Sequence, residues 1–500
     1  MFRIFGPPGT GKTTTLLNMV EKSLDSGITP SQVGFFAFTK KAANEAKERA
    51  AKRFDLDPDK DLPYFRTIHS LAYRLMGVKE NQMMGPQNYK ELSAAIGFNL
   101  SGAMSEEEDV SFKATDHPIL QLINLAKTKK TSLRTEYNHS EVNFTWIEVK
   151  YVADSYENYK KAFGLIDFTD MLEMFVEQAD HLFPHMKICF LDEAQDLSPL
   201  QWDIAHKLDG RSERMFVAGD DDQAIYRWAG ADVDHFINLP GGAEVLEQSY
   251  RVPAAIHELA EKIAGRIQNR FPKVYRPRQE RGQILRVPDI RSIDMSQGTW
   301  LVMAQARFML HPIMQELKNS GYLFEKQDGS RSIPHKMSVA INGWEAMRKG
   351  RVITCGTAQA IYSYMSGNGV RIKRGHKKIE AHDNEMFGLT DLQEHFGLLA
   401  TNEMIWHEAM DKIPEGDRAY ITALLRRGEK FNAKPRIRLS TIHGTKGGEA
   451  ENVVILPDLT AAALDTPGDD LHRVFYVGVT RALQNLYILE PEDYLRAYAL

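Results

Sequence analysis

The stretch GPPGTGKT, from Gly6 to Thr13, restricts the fold more than any other part of the chain. It meets the pattern G-x-x-x-x-G-K-[ST] at each fixed position. It sits between FRIF, a short apolar run, and TTTLLNMVEKSL, whose apolar residues recur at helical spacing. Strand, glycine-rich turn and helix in that order form the unit from which parallel α/β sheets are built. The glycines leave room for backbone N–H groups to surround a phosphate at the positive end of the helix. Lys12 is placed to reach the β- and γ-phosphates of a nucleoside triphosphate and Thr13 to hold Mg²⁺. Gly6, Pro7, Pro8, Gly9, Thr10, Gly11 and Thr14 complete the cradle.

A triphosphate site that hydrolyses needs carboxylates, and KICFLDEAQDLS supplies them: an apolar strand ending in Asp192 and Glu193. One carboxylate orders the Mg²⁺ shell while the other activates water. Cys189 within that strand reads as a small core residue. A second apolar strand opens RMFVAGDDDQAIYRWAGAD and leads into a polar turn with Gln223, followed by Tyr226 and Trp228. A Gln beyond the carboxyl end of a strand lies near the ligand crevice of an open α/β sheet. The two aromatics have two readings on spacing alone, as core residues or as platforms for the bases of a single strand.

With 500 residues the chain exceeds what one core organises. Its net charge of -5 argues against wholesale coating of nucleic acid, though not against a local basic track. Cys189 and Cys355 are far apart and form no CxxC pair, which fits a reducing compartment without a disulfide framework or zinc site. No apolar run reaches the roughly 18 residues of a membrane span, and no secretory leader is evident. A soluble, cytoplasmic protein without a membrane partner is the expectation.

Further motifs follow in order: FFAFTKKAANEAKER, FRTIHSLAYRL, LEQSYRVP, IRLSTIHGTKGGEAENVVIL and FYVGVTRAL. Together with those above, they make the chain resemble the UvrD/Rep-type helicases of superfamily 1A along nearly its whole length. The resemblance implies an α/β fold of two RecA-like P-loop domains, each with an inserted subdomain. It also implies ATP with Mg²⁺ as cofactors and single-stranded DNA as the track. Lys12, Thr13, Asp192 and Glu193 keep the roles derived above, and Gln223 links the γ-phosphate to the DNA site. The resemblance makes Tyr250 the aromatic that stacks on the base, Arg251 a γ-phosphate contact, Arg481 a second arginine finger and Glu449 a ribose contact. For DNA it points to Phe38, Thr39, Thr67, His69, Tyr226 and Trp228, and in the second domain to Arg307 and His443. Hydroxyls and imidazoles bind phosphate without reading a base, and aromatic faces accept any base, as a motor on arbitrary sequence requires.

Placed on these motifs, residues 1–65 with 166–249 form the first RecA-like domain and 66–165 a mainly helical insertion. Residues 250–327 with 436–500 form the second domain, and 328–435 its insertion. In the first insertion SEEEDVS reads as an exposed acidic loop, and AKTKKTSLR as a solvated basic face or a DNA contact. GNGVRIKRGHKK in the second insertion reads as a turn or hairpin with a basic rim, either solvated or touching duplex phosphate. Three departures stand out. No adenine-reading glutamine motif precedes the phosphate loop, Ala229 stands where the family often has arginine, and Met303 replaces the usual asparagine. The first leaves Tyr250 with most of the base affinity and predicts loose selection among purine nucleotides. The other two remove expected nucleic-acid contacts.

The resulting expectation is an ATP-dependent DNA helicase or translocase moving 3′ to 5′, with single/double-strand junctions and replication or repair proteins as partners. Two alternatives share its hydrolytic residues: a 5′-to-3′ superfamily 1 helicase, and a translocase that displaces or loads proteins without processive unwinding. A small-molecule kinase leaves the Gln, aromatic and arginine elements without a task.

Overall fold

The computed structural model describes all residues except 101–116, 179, 380, 381, 383, 384, 432, 466 and 467, and the side chains of 41 and 465. The acidic stretch SEEEDVS lies outside the described residues. The chain divides into two compact units, one of Met1–Arg281 with Pro467–Thr480, the other of Gly282–Thr466 with Arg481–Leu500.

In the first unit, β1 (Phe2–Phe5), β2 (Val33–Ala37), β3 (Phe65–Thr67), β4 (Met186–Leu191), β5 (Ser212–Gly219) and β6 (Ala243–Val245) form one sheet. Its order is β3-β2-β4-β5-β1-β6 and every pairing is parallel. Such a sheet is covered on both faces, so its inner strands are apolar without alternation, and VGFFA of β2 is buried at every position. Helices α1 (Lys12–Asp25) and α2 (Lys40–Phe54) supply part of that cover. They bring Leu16, Leu17, Val20, Ala43 and Ala46 against Ile4, Phe35 and Phe190. Each leucine so buried contributes about 1.5–3 kcal/mol. A two-stranded parallel ribbon, β7 (Gln248–Pro253) with β8 (Arg276–Arg278), belongs to the same unit, as does helix Asp469–Val479. Between these parts Phe271 stacks on Phe5, ring centres 3.9 Å apart and 6° from parallel.

The first unit also carries helices Pro86–Ile96, Pro118–Thr128 and Trp146–Phe163, packed around Leu92, Ile119, Val149, Val152 and Tyr156. The basic run AKTKKTSLR belongs here and is not simply a solvated face. Lys127 Nζ lies 2.6 Å from Asp170 and 2.7 Å from Glu157, Lys129 2.9 Å from Glu136, and Lys130 2.6 Å from Asp203. The lysines thus meet carboxylates of their own unit, while Lys130 stays 54% exposed.

The second unit repeats the plan. Strands β9 (Gln283–Val287), β10 (Trp300–Ala304) and β11 (Phe324–Lys326) precede a short antiparallel ribbon, β12 (Ile353–Thr354) with β13 (Met386–Phe387). Strands β14 (Ile437–Thr441), β15 (Ala450–Ile455) and β16 (Ala482–Leu489) complete a parallel sheet in the order β11-β14-β10-β15-β16-β9. Helices His335–Arg348, Cys355–Ser363 and Glu415–Arg426 surround a separate core centred on Trp344, whose indole N–H donates to the Met404 carbonyl at 2.9 Å. Two parallel sheets with helical insertions are the α/β architecture expected of paired RecA-like domains. Within the insertion, GNGVRIKRGHKK forms turns rather than a hairpin, joined to the rest by an isolated bridge from Ile372 to Leu398. Among the described residues, Cys189 and Cys355 are both buried thiols outside any disulfide. Among the described residues no helix is long and apolar enough to cross a membrane.

Candidate nucleotide and nucleic-acid site

The loop after β1 is shaped by contacts that only glycine permits. Lys12 folds back over it and donates from Nζ to the Gly6 carbonyl at 2.8 Å, and a Cβ on Gly6 would lie 1.9 Å from Lys12 Cγ. Gly9 holds φ +72°, and a Cβ there would lie 2.2 Å from that of Arg251. The Thr10 hydroxyl donates to the Pro7 carbonyl at 2.8 Å, while Gly11 and Thr14 bracket the first turn of α1. β7 is fastened to this loop: Ser249 Oγ donates to the Pro8 carbonyl at 2.7 Å and the Tyr250 N–H to the Gly9 carbonyl at 2.8 Å. The Tyr250 ring itself is 74% exposed, and Arg251 beside it is half-buried.

Across the sheet, Thr13 Oγ1 donates to Asp192 Oδ2 at 2.6 Å. Burial, and then the neighbouring Glu193 charge, push the Asp192 carboxyl up to about 6, while Thr13 and Lys12 act in the opposite direction. A buried carboxylate against a hydroxyl is an all-oxygen donor pair, suited to a hard cation such as Mg²⁺. Glu193 occupies the left-handed region at φ +57°, uncommon for a residue with a side chain and concentrated at functional sites.

Gln223 lies on the turn after β5, where its amide donates to Asp220 Oδ2 at 2.7 Å. Asp220, Asp221 and Asp222 are all fully buried, which demands compensating cations. Lys273 provides one: its Nζ lies 3.3, 2.6 and 2.8 Å from the three carboxylates in turn. Arg270 makes a two-pronged contact with Asp222 at 2.9 and 2.5 Å, and Arg473 donates to the Asp221 carbonyl at 2.9 Å. Burial pushes Asp221 up to about 6 against the pull of Lys273. Burial also acts on Asp222, but Lys273 and Arg270 outweigh it and hold that carboxyl below its usual range. Lys273, Arg270 and Gln195 are site residues that motif reading passed over. The three consecutive aspartates at a buried strand end were the available signal, because they require a buried cation from elsewhere.

The nucleic-acid candidates of the first unit follow the carboxyl ends of β2, β3 and β5. Phe38 and Tyr226 are buried and stack with ring centres 6.0 Å apart; Trp228 continues from Tyr226 at 6.4 Å and is 66% exposed. Of the two sequence readings, Tyr226 takes the interior one and Trp228 presents its face outward. Thr39 caps α2, accepting from the Ala42 N–H at 3.2 Å. Thr67 caps helix α3 (Ile68–Leu75), accepting from the Ser70 N–H at 3.2 Å. Each hydroxyl thereby spends an acceptor site and retains its O–H as a donor. β2 and β3 pair with Ala37 opposite Thr67, so the two caps stand side by side. On α3, burial pushes the His69 imidazole down to about 4, which leaves it neutral near pH 7. Its Nδ1 has no hydrogen-bond partner among the described residues.

In the second unit, Arg307 and His443 follow the adjacent parallel strands β10 and β14, where Ala304 pairs with Thr441. Arg307 is exposed and His443 half-buried. Met303 is fully buried within β10. Arg481 is buried, with Nη1 3.4 Å from the Gly448 carbonyl and its own carbonyl accepting from the Ala450 N–H at 3.2 Å; exposed Glu449 lies between those two contacts. The first unit thus carries the phosphate loop, both carboxylates, Gln223, Tyr250 and Arg251, while the second carries Arg481 against the backbone on either side of Glu449.

Comparison with known proteins gives sequence matches in both units. The family model for the UvrD/REP helicase N-terminal domain matches residues 2–241, and that for the UvrD-like helicase C-terminal domain matches residues 436–489. ATP-dependent DNA helicase PcrA of Bacillus subtilis (strain 168) is 28% identical over 282 residues, covering 53% of this chain and 37% of PcrA. DNA helicase II of Escherichia coli (strain K12) is 28% identical over 283 residues, covering 52% of this chain and 38% of that protein. The matched region therefore spans well under half the length of these curated relatives. Among solved structures, Arterivirus nonstructural protein 10 (helicase) gives a TM-score of 0.34 at 12% identity, over 99% of this chain and 60% of that one, a likeness too loose to carry an argument. With a UvrD-type match on each of its two parallel-sheet units, in chain order, the chain belongs to the UvrD/Rep helicase family.

Proposed function

We propose that the chain is an ATP-dependent DNA helicase that moves 3′ to 5′ along single-stranded DNA. The observation that carries this reading is the turn after β5, which bears both Gln223 and the run Tyr226–Trp228. One short segment joins the nucleotide side of the sheet to an outward-facing aromatic, as coupling of hydrolysis to a strand requires. The polarity rests on the family resemblance, as do the roles of the second unit's residues.

Thr13 and Asp192 are the residues that would hold Mg²⁺; bound there, it would offset charge on the β- and γ-phosphates. The chain's own groups do the rest. Lys12 exchanges its bond to the Gly6 carbonyl for phosphate oxygen, Glu193 orients the attacking water and takes its proton, and Tyr250 supports the base with Glu449 on the ribose. Arg251 and Arg481 counter the charge that develops in the transition state. Thr39, Thr67, His69, Arg307 and His443 contact the DNA backbone, while Trp228, backed by Tyr226 and Phe38, stacks on a base.

The test is unwinding of duplexes bearing a 3′ or a 5′ single-stranded tail, with ATP and Mg²⁺. Strand separation confined to the 3′-tailed duplex is expected. Separation of only the 5′-tailed duplex refutes the polarity. DNA-stimulated hydrolysis without strand separation supports instead a translocase that displaces or loads proteins.

A further inference from the structure

Building on the hydrolytic reading above, we propose that Gln195 is a positioning residue that holds Glu193 for hydrolysis and ties it to the turn carrying Gln223. Gln195 is completely buried, on the turn that follows Glu193. Its Oε1 accepts from the Asp220 backbone N–H at 3.0 Å. A backbone N–H can only donate, so this bond fixes which way round the amide sits. The Nε2 protons are then directed to Glu193 Oε2 at 2.5 Å and Asp196 Oδ2 at 3.2 Å.

The surroundings are built to admit this amide. β4 and β5 are neighbours, with Leu191 opposite Val217, which brings the segments leaving them side by side. The last residue of β5 is Gly219, where a Cβ would lie 2.6 Å from Gln195 Oε1. On the far side, Asp220 accepts from Gln223 and is held by Lys273 at 3.3 Å. The hydrogen-bonded chain therefore runs Glu193–Gln195–Asp220–Gln223 without a break, anchored by a buried ammonium. It gives a physical reason for Glu193 to remain in the left-handed backbone region, since the side chain is captured at its tip.

Four variants test the assignment: Gln195→Met, Gln195→Glu, Gln223→Met and the double Gln195→Met/Gln223→Met. Each is assayed for hydrolysis of ATP with single-stranded DNA and for binding of a fluorescent ATP analogue. Gln195→Met is expected to lower kcat about 10- to 100-fold, the range for losing a partner that orients a catalytic ligand. The nucleotide Kd should stay within about threefold, because the phosphate loop is untouched. Gln195→Glu, which keeps the acceptor for Asp220 and loses the amide donor, should show the same split, and decides the matter if Gln195→Met does not fold. In one connected chain the double variant should be no worse than the weaker single by more than about twofold.

Wild-type kcat in Gln195→Glu, losses in kcat and affinity together, or losses that multiply in the double variant would each overturn the proposal. If the unmodified protein shows no DNA-stimulated hydrolysis, the functional reading fails and this inference with it. If it is stimulated and Gln195→Glu matches it, only the role of Gln195 fails.

Discussion

Replacing Lys273 by Met should expose how far this family member depends on one buried charge. The side chain is 1% exposed, and the facing carboxylates of Asp220, Asp221 and Asp222 are 0% exposed. Methionine fills most of the stem's volume, so the loss is electrostatic rather than a cavity. Without the ammonium, Arg270 still holds Asp222 through its two contacts, but Asp221 loses the cation 2.6 Å from its carboxylate. Breaking a buried ion pair costs about 3–5 kcal/mol, because the orphaned partner stays desolvated. Domain stabilities are commonly about 5–15 kcal/mol, so the first unit should lose a large share of its margin.

The penalty should also depend on pH in a definite direction. Asp221 already stands at about 6, above its ordinary 3.8, so its contribution is fully present below that ordinary value and is lost as pH rises through 6. Removing Lys273 extends that behaviour to its neighbours. Urea unfolding followed by circular dichroism should therefore show a large loss at pH 7.5 and no more than about half of it at pH 5. Adding Asp221→Asn to Lys273→Met should recover part of the loss at pH 7.5, since it removes one of the uncompensated charges. A loss below about 1 kcal/mol at pH 7.5, or an equal loss at both pH values, would refute the reasoning.

Trp228→Ala should weaken single-strand affinity by about 1–3 kcal/mol, the value of one base stack, with little change in melting temperature because the ring is mostly exposed. Fluorescence anisotropy with a labelled oligonucleotide measures the first and a thermal melt the second. Thr13→Val removes the hydroxyl from Asp192 and should raise the Mg²⁺ concentration for half-maximal hydrolysis about 10- to 100-fold, read from a Mg²⁺ titration at saturating ATP. Parallel ATP and GTP hydrolysis assays should show both nucleotides weakened in Tyr250→Ala, since an exposed aromatic face stacks on either purine. Unchanged affinity for both nucleotides in that variant would refute a stacking role for Tyr250.

The phosphate loop and its strand were legible because the information is local: FRIF and the helix after GPPGTGKT lie within one short stretch, and β1 and α1 occupy those positions. The apolar strands ending before Asp192 and Gln223 were legible for the same reason. What escaped was relational. Gln195 meets Asp220 because β4 and β5 are neighbours in the sheet, a fact of strand order that no motif spells out. Lys273 serves residues some fifty positions earlier in the chain, as the separations of its hydrogen bonds record. AKTKKTSLR makes the same point: the run announces its charge, but not the carboxylates of other elements, such as Asp170 and Asp203, that its lysines meet in space. His69 is another case, since its burial, which holds the imidazole well below its usual range, is not visible in the sequence.

The stitching of β7 to the phosphate loop has a mechanical consequence. Two donors, from Ser249 and Tyr250, grip the carbonyls of Pro8 and Gly9, while the tyrosine ring stands out in the open. The loop and the backbone of Tyr250 are therefore one piece, and the ring swings from a hinge that the loop carries. Any displacement of the loop carries that hinge along, so the reach of the ring is set from the loop while its angle is not.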